Sequence, residues 1–273
     1  MKTFLVPTDF SPAGRNATEY AAQLARLFSA KLILFHAYMM PTPVSEVPYV
    51  MATVEDLQKT NEGEMRKEAK HIYEQYKIET EQVVRIGIAS DEIRELTREK
   101  NADLVIMGIK GAGGLDKIIG STTINAIRKI KTPVLVIPHD AEFRAIKDIV
   151  YASDFSYRTN INLFDPLMEL AEKFGAKIHI LNVEKHREKV PAGELSGKPG
   201  SANIFEEVDH EYVTVASDSV THGINEYLQT RPGQLLAMVA HKHTFFERIF
   251  SRSNTTAMAY ETHIPLLILQ DKG

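Results

Sequence analysis

Short apolar runs alternate with amphipathic stretches along the first half of the chain. These runs, with one alternating stretch, are typical of strands, and we predict five at residues 3–7, 32–36, 80–86, 104–107 and 134–137. Apolar residues after the first run recur at helical spacing, at Ala17, Tyr20, Ala21, Leu24 and Phe28. The pattern therefore predicts strands and helices in regular alternation.

Polar residues mark where the predicted helices begin. Ser11 is suited to cap the first helix, with Pro12 at its first position. A charged second helix is predicted over about residues 53–76, and a third helix is predicted to begin with Ser90 as its cap. A short fourth helix is predicted over about residues 121–129. Strands that alternate with helices imply a parallel, doubly wound sheet, whose ligands bind at the carboxyl ends of strands one and four.

The second half of the chain repeats the first. Residues 4–11 match residues 149–156, and both segments end in Asp-Phe-Ser. Residues 24–37 match residues 170–183, and three shorter matches follow in the same order. The chain is therefore interpreted as a duplication with its joint near residues 139–147. One segment differs: residues 184–203 replace the charged helix with a loop rich in Pro and Gly, which is either mobile or functional.

Composition narrows the possible functions. The chain has no cysteine, which excludes disulfides, thiolate metal sites and cysteine nucleophiles. A net charge of −4 gives no indication of nucleic-acid binding, and no apolar run is long enough to span a membrane. The first nine residues show no signal-peptide pattern. We therefore expect a cytoplasmic protein without nucleic-acid or membrane partners.

A glycine-rich loop after the fourth strand is the strongest candidate for a binding site. Residues 108–122 contain five of the chain's 15 glycines, and glycine lets backbone N–H groups approach an anion closely. Gly120, Ser121 and Thr122 fall at a helix start, where free N–H groups and the helix dipole favour phosphate. Lys110 and Lys117 add positive charge. The loop therefore indicates phosphate binding, although a glycine-rich turn can also be only a turn.

In these features the chain resembles the universal stress protein family. The family's nucleotide-binding loop has Gly, two residues, Gly, nine residues, then Gly with Ser or Thr. Gly108 and Gly111 fit this spacing, but only eight residues precede Gly120 and Ser121. The resemblance implies that Asp9 lies near an adenine ring and that backbone atoms at the strand end His36-Ala37 contact this ring. Gly108, Lys110, Gly111, Gly120, Ser121 and Thr122 would then hold the phosphates of ATP, with Mg²⁺.

Together, the pattern and the resemblance predict two α/β domains, residues 1–140 and 145–273. Each is expected to be a doubly wound five-stranded parallel sheet in the order 3-2-1-4-5, flanked by helices. Family members commonly pair through their last strands, so residues 134–137 and 266–269 are expected to pair and form a pseudo-dimer within one chain. The chain is also a candidate homodimer.

The glycine-rich loop has lost its glycines in the second half. Val239 falls on Gly108, Lys242 on Gly111 and Ser251 on Gly120, so we predict no ATP binding in this domain. A basic cluster replaces the glycines, made of His241, Lys242, His243, Arg248 and Arg252. It is either a solvated loop or a site for free phosphate, an acidic partner or another ligand. Only Asp154 and His263 suggest themselves as further ligands for a metal, so no metal site is predicted.

Three functions remain open at this point. The first is a stress-response regulatory protein that binds ATP or another adenine nucleotide in its first domain. The second is an interaction scaffold for an unknown protein partner, with no nucleotide. The third is a slow ATPase, which is disfavoured because no general base is evident near the loop.

Overall fold

The computed structural model describes residues 1–40, 53–109, 121–153, 161–184, 204–231, 234–241 and 264–271, apart from the side chains of Ser121 and His241. The chain divides into two compact units, the first built mainly from residues 1–143 and the second mainly from residues 144–273. None of the helices described there is long and apolar enough to cross a membrane.

The first unit alternates strands and helices throughout. Its elements are β1 (Thr3–Pro7), α1 (Pro12–Phe28), β2 (Lys31–Tyr38), α2 (Val54–Tyr76), β3 (Thr80–Ile86), α3 (Ala89–Glu99), β4 (Leu104–Ile109), α4 (Ser121–Lys129) and β5 (Val134–Pro138). The strand order is β3-β2-β1-β4-β5, and β1 pairs in parallel with β2 and β4. The predicted doubly wound sheet in the order 3-2-1-4-5 is confirmed.

The helices of the first unit cover its sheet in two pairs. The helix α1 packs against α2, and α3 packs against α4. The chain moves in one direction across the sheet from β1 to β3 and reverses after β3. Because crossovers between parallel strands are right-handed, this reversal places the two helix pairs on opposite faces. The core strands are accordingly apolar on both faces, and Phe4, Leu5 and Val6 are fully buried.

In the first unit, α1 and α2 begin where the sequence pattern predicts, whereas α3 has a different cap from the predicted one. The Ser11 hydroxyl accepts a hydrogen bond from the Gly14 N–H at 3.2 Å and caps α1. Thr53 caps α2 through a reciprocal contact with Asp56. The prediction that Ser90 caps α3 is wrong. The cap is Ile88, which has an extended backbone, and the buried Ser90 hydroxyl lies within the first turn, where it accepts from Lys129 Nζ.

The second unit has the same strand order with shorter helices. Its elements are β6 (Asp148–Ala152), a 3₁₀ helix (Ile161–Phe164), α5 (Asp165–Phe174), β7 (Lys177–Glu184), β8 (His210–Ala216), α6 (Val220–Thr230), β9 (Leu235–His241) and β10 (Leu266–Asp271). The strands are arranged β8-β7-β6-β9-β10, with parallel pairing between neighbours. This is again the predicted order 3-2-1-4-5. Most of the predicted loop at 184–203 lies outside the described residues.

Aromatic side chains build part of the core of the second unit. Tyr151, Phe164 and Phe205 pack together, with ring centroids 5.3 to 5.7 Å apart. Phe164 and Phe205 are almost fully buried. In the sequence repeat, Tyr151 corresponds to Val6 of the first unit. The same sheet is therefore packed with different side chains in the two units.

Candidate functional site

A cavity of about 390 Å³ opens in the first unit beside the carboxyl ends of β1, β2 and β4. Its volume lies within the range of small-molecule sites. The lining comes from strand ends and from three helices, and comprises Pro7, Thr8, Asp9, Ser11, Ala13, Gly14, Phe35, Ala37, Ala89, Ile93, Met107, Gly108, Ile109, Thr122 and Thr123. The cavity therefore lies where doubly wound sheets bind ligands.

The turn between β1 and α1 lines the cavity. Asp9 is exposed in this turn, and its Oδ1 accepts a hydrogen bond from the Ser11 N–H at 3.0 Å. The Thr8 hydroxyl accepts from the Phe10 N–H at 3.1 Å. No described residue donates a hydrogen bond to Asp9 Oδ2. The turn therefore presents a carboxylate oxygen that can accept from a ligand.

Two glycines allow the backbone to close around this turn. A Cβ on Gly108 would lie 2.2 Å from the Ala13 carbonyl oxygen, so only glycine lets β4 approach α1 this closely. A Cβ on Gly14 would lie 2.8 Å from Asp9 Oδ1 and 3.0 Å from the Thr8 hydroxyl oxygen. The Asp9 carboxylate therefore rests against the bare Cα of Gly14.

Apolar side chains form the walls between the strand ends and α3. Phe35 and Met107 contribute from β2 and β4, and Ile93 contributes from α3. All three are nearly or fully buried. Ala37, the next inward-facing residue of β2 after Phe35, is small and leaves space at the strand end. A flat aromatic ring suits such a narrow apolar region with a polar group at one edge.

The beginning of α4 also lines the cavity. Ser121 is the first residue of this helix, and Thr122 and Thr123 line the cavity. Free backbone N–H groups at a helix N-terminus favour anions. The far end of α4 is tied to α3, because Lys129 Nζ lies 2.7 Å from Asp91 Oδ1. This hydrogen bond lowers the pKa of the Asp91 carboxyl.

The predicted binding residues fall into two groups. Asp9, Ala37, Gly108 and Thr122 all line the same cavity. Ser121 begins α4 as expected, and its side chain lies outside the described part of the chain. Lys110, Gly111 and Gly120 also lie outside it, and their phosphate-binding roles stay predictions. Residues separated by about 100 positions in sequence thus meet at one place in the fold.

Sequence reasoning missed several contributors to the cavity. Gly14 and Ala13 lie in an amphipathic helix whose spacing gives no sign of contact with β4. Thr8 and Thr123 are common small polar residues without a motif of their own. Ser11 was assigned only the cap of α1, and it also lines the cavity. A glycine two positions after Pro12 was the one available signal, since glycine in a helix interior lowers stability.

The corresponding position in the second unit is filled. Val239 of β9, which falls on Gly108 in the repeat, is 5% exposed and carries the side chain that Gly108 lacks. Of the predicted basic cluster, only the His241 backbone is described, as the end of β9. The described residues of either unit contain no group of three or more His, Asp or Glu placed to hold a metal ion.

Comparison with known proteins agrees with this architecture. The sequence model of the universal stress protein family matches residues 1–138 and again residues 145–270. The chain belongs to the universal stress protein family. A universal stress protein of Synechocystis sp. is 32% identical over 139 residues, which cover 50% of this chain and 85% of that protein. Half of the chain thus corresponds to nearly all of a single-repeat universal stress protein.

Solved universal stress proteins share the fold. One from Archaeoglobus fulgidus covers 98% of this chain and 98% of its own, with a TM-score of 0.72 and 17% identity. This likeness extends over both repeats and concerns the fold alone. A second solved structure, a universal stress protein in complex with cAMP, is 26% identical over 50% of this chain and 97% of its own, with a TM-score of 0.39.

Proposed function

We propose that the first unit binds an adenine nucleotide, with ATP and Mg²⁺ as the expected ligands, and that the chain serves as a stress-response regulatory protein. The cavity at the carboxyl ends of β1, β2 and β4 is the observation that carries this proposal. It combines apolar walls, an acceptor carboxylate and a helix start in a single space. Because ATP is an intracellular metabolite, the proposal includes a cytoplasmic location.

The lining combines groups that suit the base and the phosphates of a nucleotide. Asp9 Oδ2 is free to accept from the exocyclic amine of adenine, beside the apolar wall of Phe35 and Ala37. The N-terminus of α4 suits the negative charge of phosphates. Gly108, Lys110, Gly111, Gly120, Ser121 and Thr122 are the predicted phosphate-binding residues. Mg²⁺ would be held mainly by the phosphates themselves, as is usual for this ion.

Regulation suits this site better than rapid catalysis. Asp9 is the one carboxylate among the described lining residues, and in this proposal it accepts from the adenine amine. A general base for ATP hydrolysis must reach a water next to the γ-phosphate. Binding without turnover leaves the nucleotide as a signal that a protein partner can sense.

Calorimetric titration of Mg-ATP and Mg-ITP into the purified full chain tests the proposal. ITP presents a carbonyl where ATP presents an amine, so a carboxylate acceptor discriminates between them. We expect micromolar affinity for ATP and weaker affinity for ITP. Asp9→Asn keeps an oxygen for the Ser11 N–H and replaces the free acceptor with a donor, so affinity for ATP should fall about tenfold, equivalent to about 1.4 kcal/mol.

Asp103→Asn is the matched control. Asp103 Oδ2 accepts from the Lys2 and Thr3 N–H groups at the amino end of the sheet, away from the cavity. This variant should keep the nucleotide affinity of the original chain. Absence of binding by the original chain, once co-purified nucleotide is ruled out by absorbance, would overturn the proposal and favour the scaffold. Phosphate release by the original chain above that of a Gly120→Val variant would instead favour an ATPase.

A further inference from the structure

A histidine behind the cavity holds the turn that carries Asp9. We propose that His36, together with Phe10, is a positioning residue for the Asp9 carboxylate. This inference rests on the proposed nucleotide site and assigns a role to two residues that do not line the cavity. The contact is between strand β2 and the turn that follows β1.

The first element is a hydrogen bond to the backbone of the turn. His36 Nδ1 lies 2.7 Å from the Thr8 carbonyl oxygen. A carbonyl oxygen only accepts hydrogen bonds, so Nδ1 must carry the proton and donate it. The neighbouring Thr8 N–H donates to the Phe35 carbonyl at 2.8 Å, within the pairing of β1 with β2. Thr8 is therefore fixed through both its N–H and its carbonyl directly before Asp9.

The second element is a ring contact on the other side of Asp9. Phe10 has a φ of 60°, in the left-handed region that bulky residues rarely adopt. Its ring packs on the His36 imidazole, with centroids 4.5 Å apart and planes inclined by 36°. Such a backbone conformation persists only where surrounding contacts determine it. The imidazole therefore holds both residues that flank Asp9.

His36 acts from behind the site rather than in it. Side chains of successive strand residues point to opposite faces, so His36 lies across the sheet from its neighbours Phe35 and Ala37, which line the cavity. The imidazole is backed by the parallel ring of Tyr38 at 6.4 Å, and the Tyr38 hydroxyl donates to Gln58 of α2 at 2.6 Å. A ligand in the cavity would thus contact Asp9, whereas His36 acts on Asp9 only through its contacts with Thr8 and Phe10.

The second unit lacks this arrangement at the same register. The strands β2 and β7 each have eight residues, and the sixth residue is His36 in one and Asn182 in the other. The Asn182 amide donates to Glu184 Oε1 at 3.4 Å, within its own strand. The unit whose glycine-rich loop is rewritten has therefore also lost the imidazole. His36→Asn installs in the first unit the residue that the second unit carries.

The test is Mg-ATP titration of His36→Asn, Phe10→Leu and the double variant, each as the full chain. We expect each single variant to bind ATP about tenfold more weakly. The double variant should be little worse than the weaker single variant, because the two residues act as one unit. His71→Asn is the control: its imidazole contacts Glu19 on the exposed side of α1 and α2, and affinity should be unchanged.

Amide hydrogen exchange at Phe10 and Ser11 supplies a second readout. His36→Asn should speed exchange at these two amides several-fold, while exchange in β4 stays as in the original chain, because the loss is local to the turn. NMR of the original chain should show the His36 proton on Nδ1.

The outcomes separate the two proposals. If the original chain binds ATP and His36→Asn binds equally well, the positioning role is wrong and the nucleotide site stands. If the original chain binds no nucleotide, the site proposal fails. The positioning role of His36 is then tested by hydrogen exchange in His36→Asn. Unchanged exchange at Phe10 and Ser11 overturns this role, and faster exchange there supports it.

Discussion

The two units share a strand order and differ at the carboxyl ends of their strands. In the first unit, Gly108 lets β4 lie against the Ala13 carbonyl, and a cavity opens beside this contact. In the second unit, Val239 occupies the corresponding position and is buried. The comparison shows that the sheet can form with this strand order without the cavity-lining residues of the first unit. Strand order depends on buried apolar strands, whereas the cavity depends on a few small residues at the strand ends.

The first helices of the units differ in the same sense. In the repeat, Asp165 at the start of α5 corresponds to Glu19, well inside α1. A short 3₁₀ helix, Ile161–Phe164, takes the place of part of the first turns of α1. Those first turns are the part of α1 that lines the cavity. The duplicated helix α5 is therefore shorter than α1 at the end that corresponds to the cavity-lining turns.

The largest expected effect comes from adding a methyl group to Gly108. Gly108→Ala places a Cβ against a backbone carbonyl at a distance no real contact allows, so β4 and α1 must separate. We expect a loss of about 3 kcal/mol in the free energy of unfolding, together with loss of nucleotide binding. Urea unfolding followed by circular dichroism measures the first effect and calorimetry the second.

Gly63→Ala is the matched control for that substitution. A Cβ on Gly63 of α2 meets nothing within 4 Å, so alanine should stabilise the helix by roughly 0.5–1 kcal/mol. Equal stability of the two alanine variants would contradict the close contact between β4 and α1.

The second prediction concerns a polar cluster that only the second unit has. His179 of β7 is 5% exposed, and Ile33 holds its place in the first unit. Its Nε2 lies 2.9 Å from Asp148 Oδ1, and its Nδ1 lies 2.9 Å from the Tyr227 hydroxyl and 2.8 Å from Glu211 Oε1. Burial raises the pKa of the Tyr227 hydroxyl, which therefore remains protonated. His179→Ile removes these contacts from a nearly buried position.

We expect His179→Ile to lower the free energy of unfolding by about 2 kcal/mol. His222→Ala on α6 should change it by less than about 0.5 kcal/mol, because that imidazole is exposed and contacts only Glu226 among the described residues. The measurement is the urea midpoint of each variant in the full chain. If His179→Ile left the free energy of unfolding unchanged, the second unit would tolerate the isoleucine of the first unit at this position.

Much of this fold could be predicted from the sequence. Buried strands and amphipathic helices produce strong local patterns, and the strand at residues 3–7 and the helix after Ser11 lie where the pattern placed them. The duplication provided a second sequence pattern that predicted the same strand order. The sequence also singled out Asp9 and Thr122, and both line the same cavity. Their binding roles stay predictions.

The remainder depended on contacts between distant residues. Ser90 looked like a helix cap, but its hydroxyl is used by Lys129, which lies 39 positions away. No motif marks Gly14 or assigns a role to the His36 side chain, because their contacts come from the proximity of Asp9 and Thr8 in space. Local sequence cannot reveal which side chain a small residue makes room for. These positions are therefore visible only in the folded chain.

The third prediction separates binding from stability. Gly14→Ala would bring a Cβ to 2.8 Å from Asp9 Oδ1, and a side-chain carboxylate can move away at little cost. Nucleotide affinity should fall about tenfold, equivalent to about 1.4 kcal/mol, while unfolding changes little. Gly223→Ala in the second unit should do the reverse. Its Cβ would lie 2.6 Å from Val183 Cγ1 in a packed region, so stability should fall and nucleotide affinity should not.

The smallest expected effect depends on pH and concerns α2. This helix has no counterpart among the described residues 204–209, which lie between β7 and β8 of the second unit. Glu68 of α2 is 5% exposed, its Oε1 has no hydrogen bond, and Arg15 Nε lies 3.6 Å from its Oε2. Burial raises the pKa of the Glu68 carboxyl above its ordinary value of 4.5. The folded chain therefore keeps this proton to higher pH than the unfolded chain, and stability is lost as pH rises through the folded pKa.

Glu68→Gln should consequently be more stable than the original chain at pH 7, by about 1 kcal/mol, with a difference that shrinks as pH falls towards 4.5. Urea midpoints measured from pH 4.5 to 8 give this difference directly. Glu64→Gln on the same helix should show the opposite trend. Lys67 donates to Glu64 and lowers the pKa of its carboxyl, so the stability from that contact is present at neutral pH and lost as pH falls. A Glu68→Gln difference that is constant across this range would show that the pKa of the Glu68 carboxyl is the same in the folded and unfolded chains.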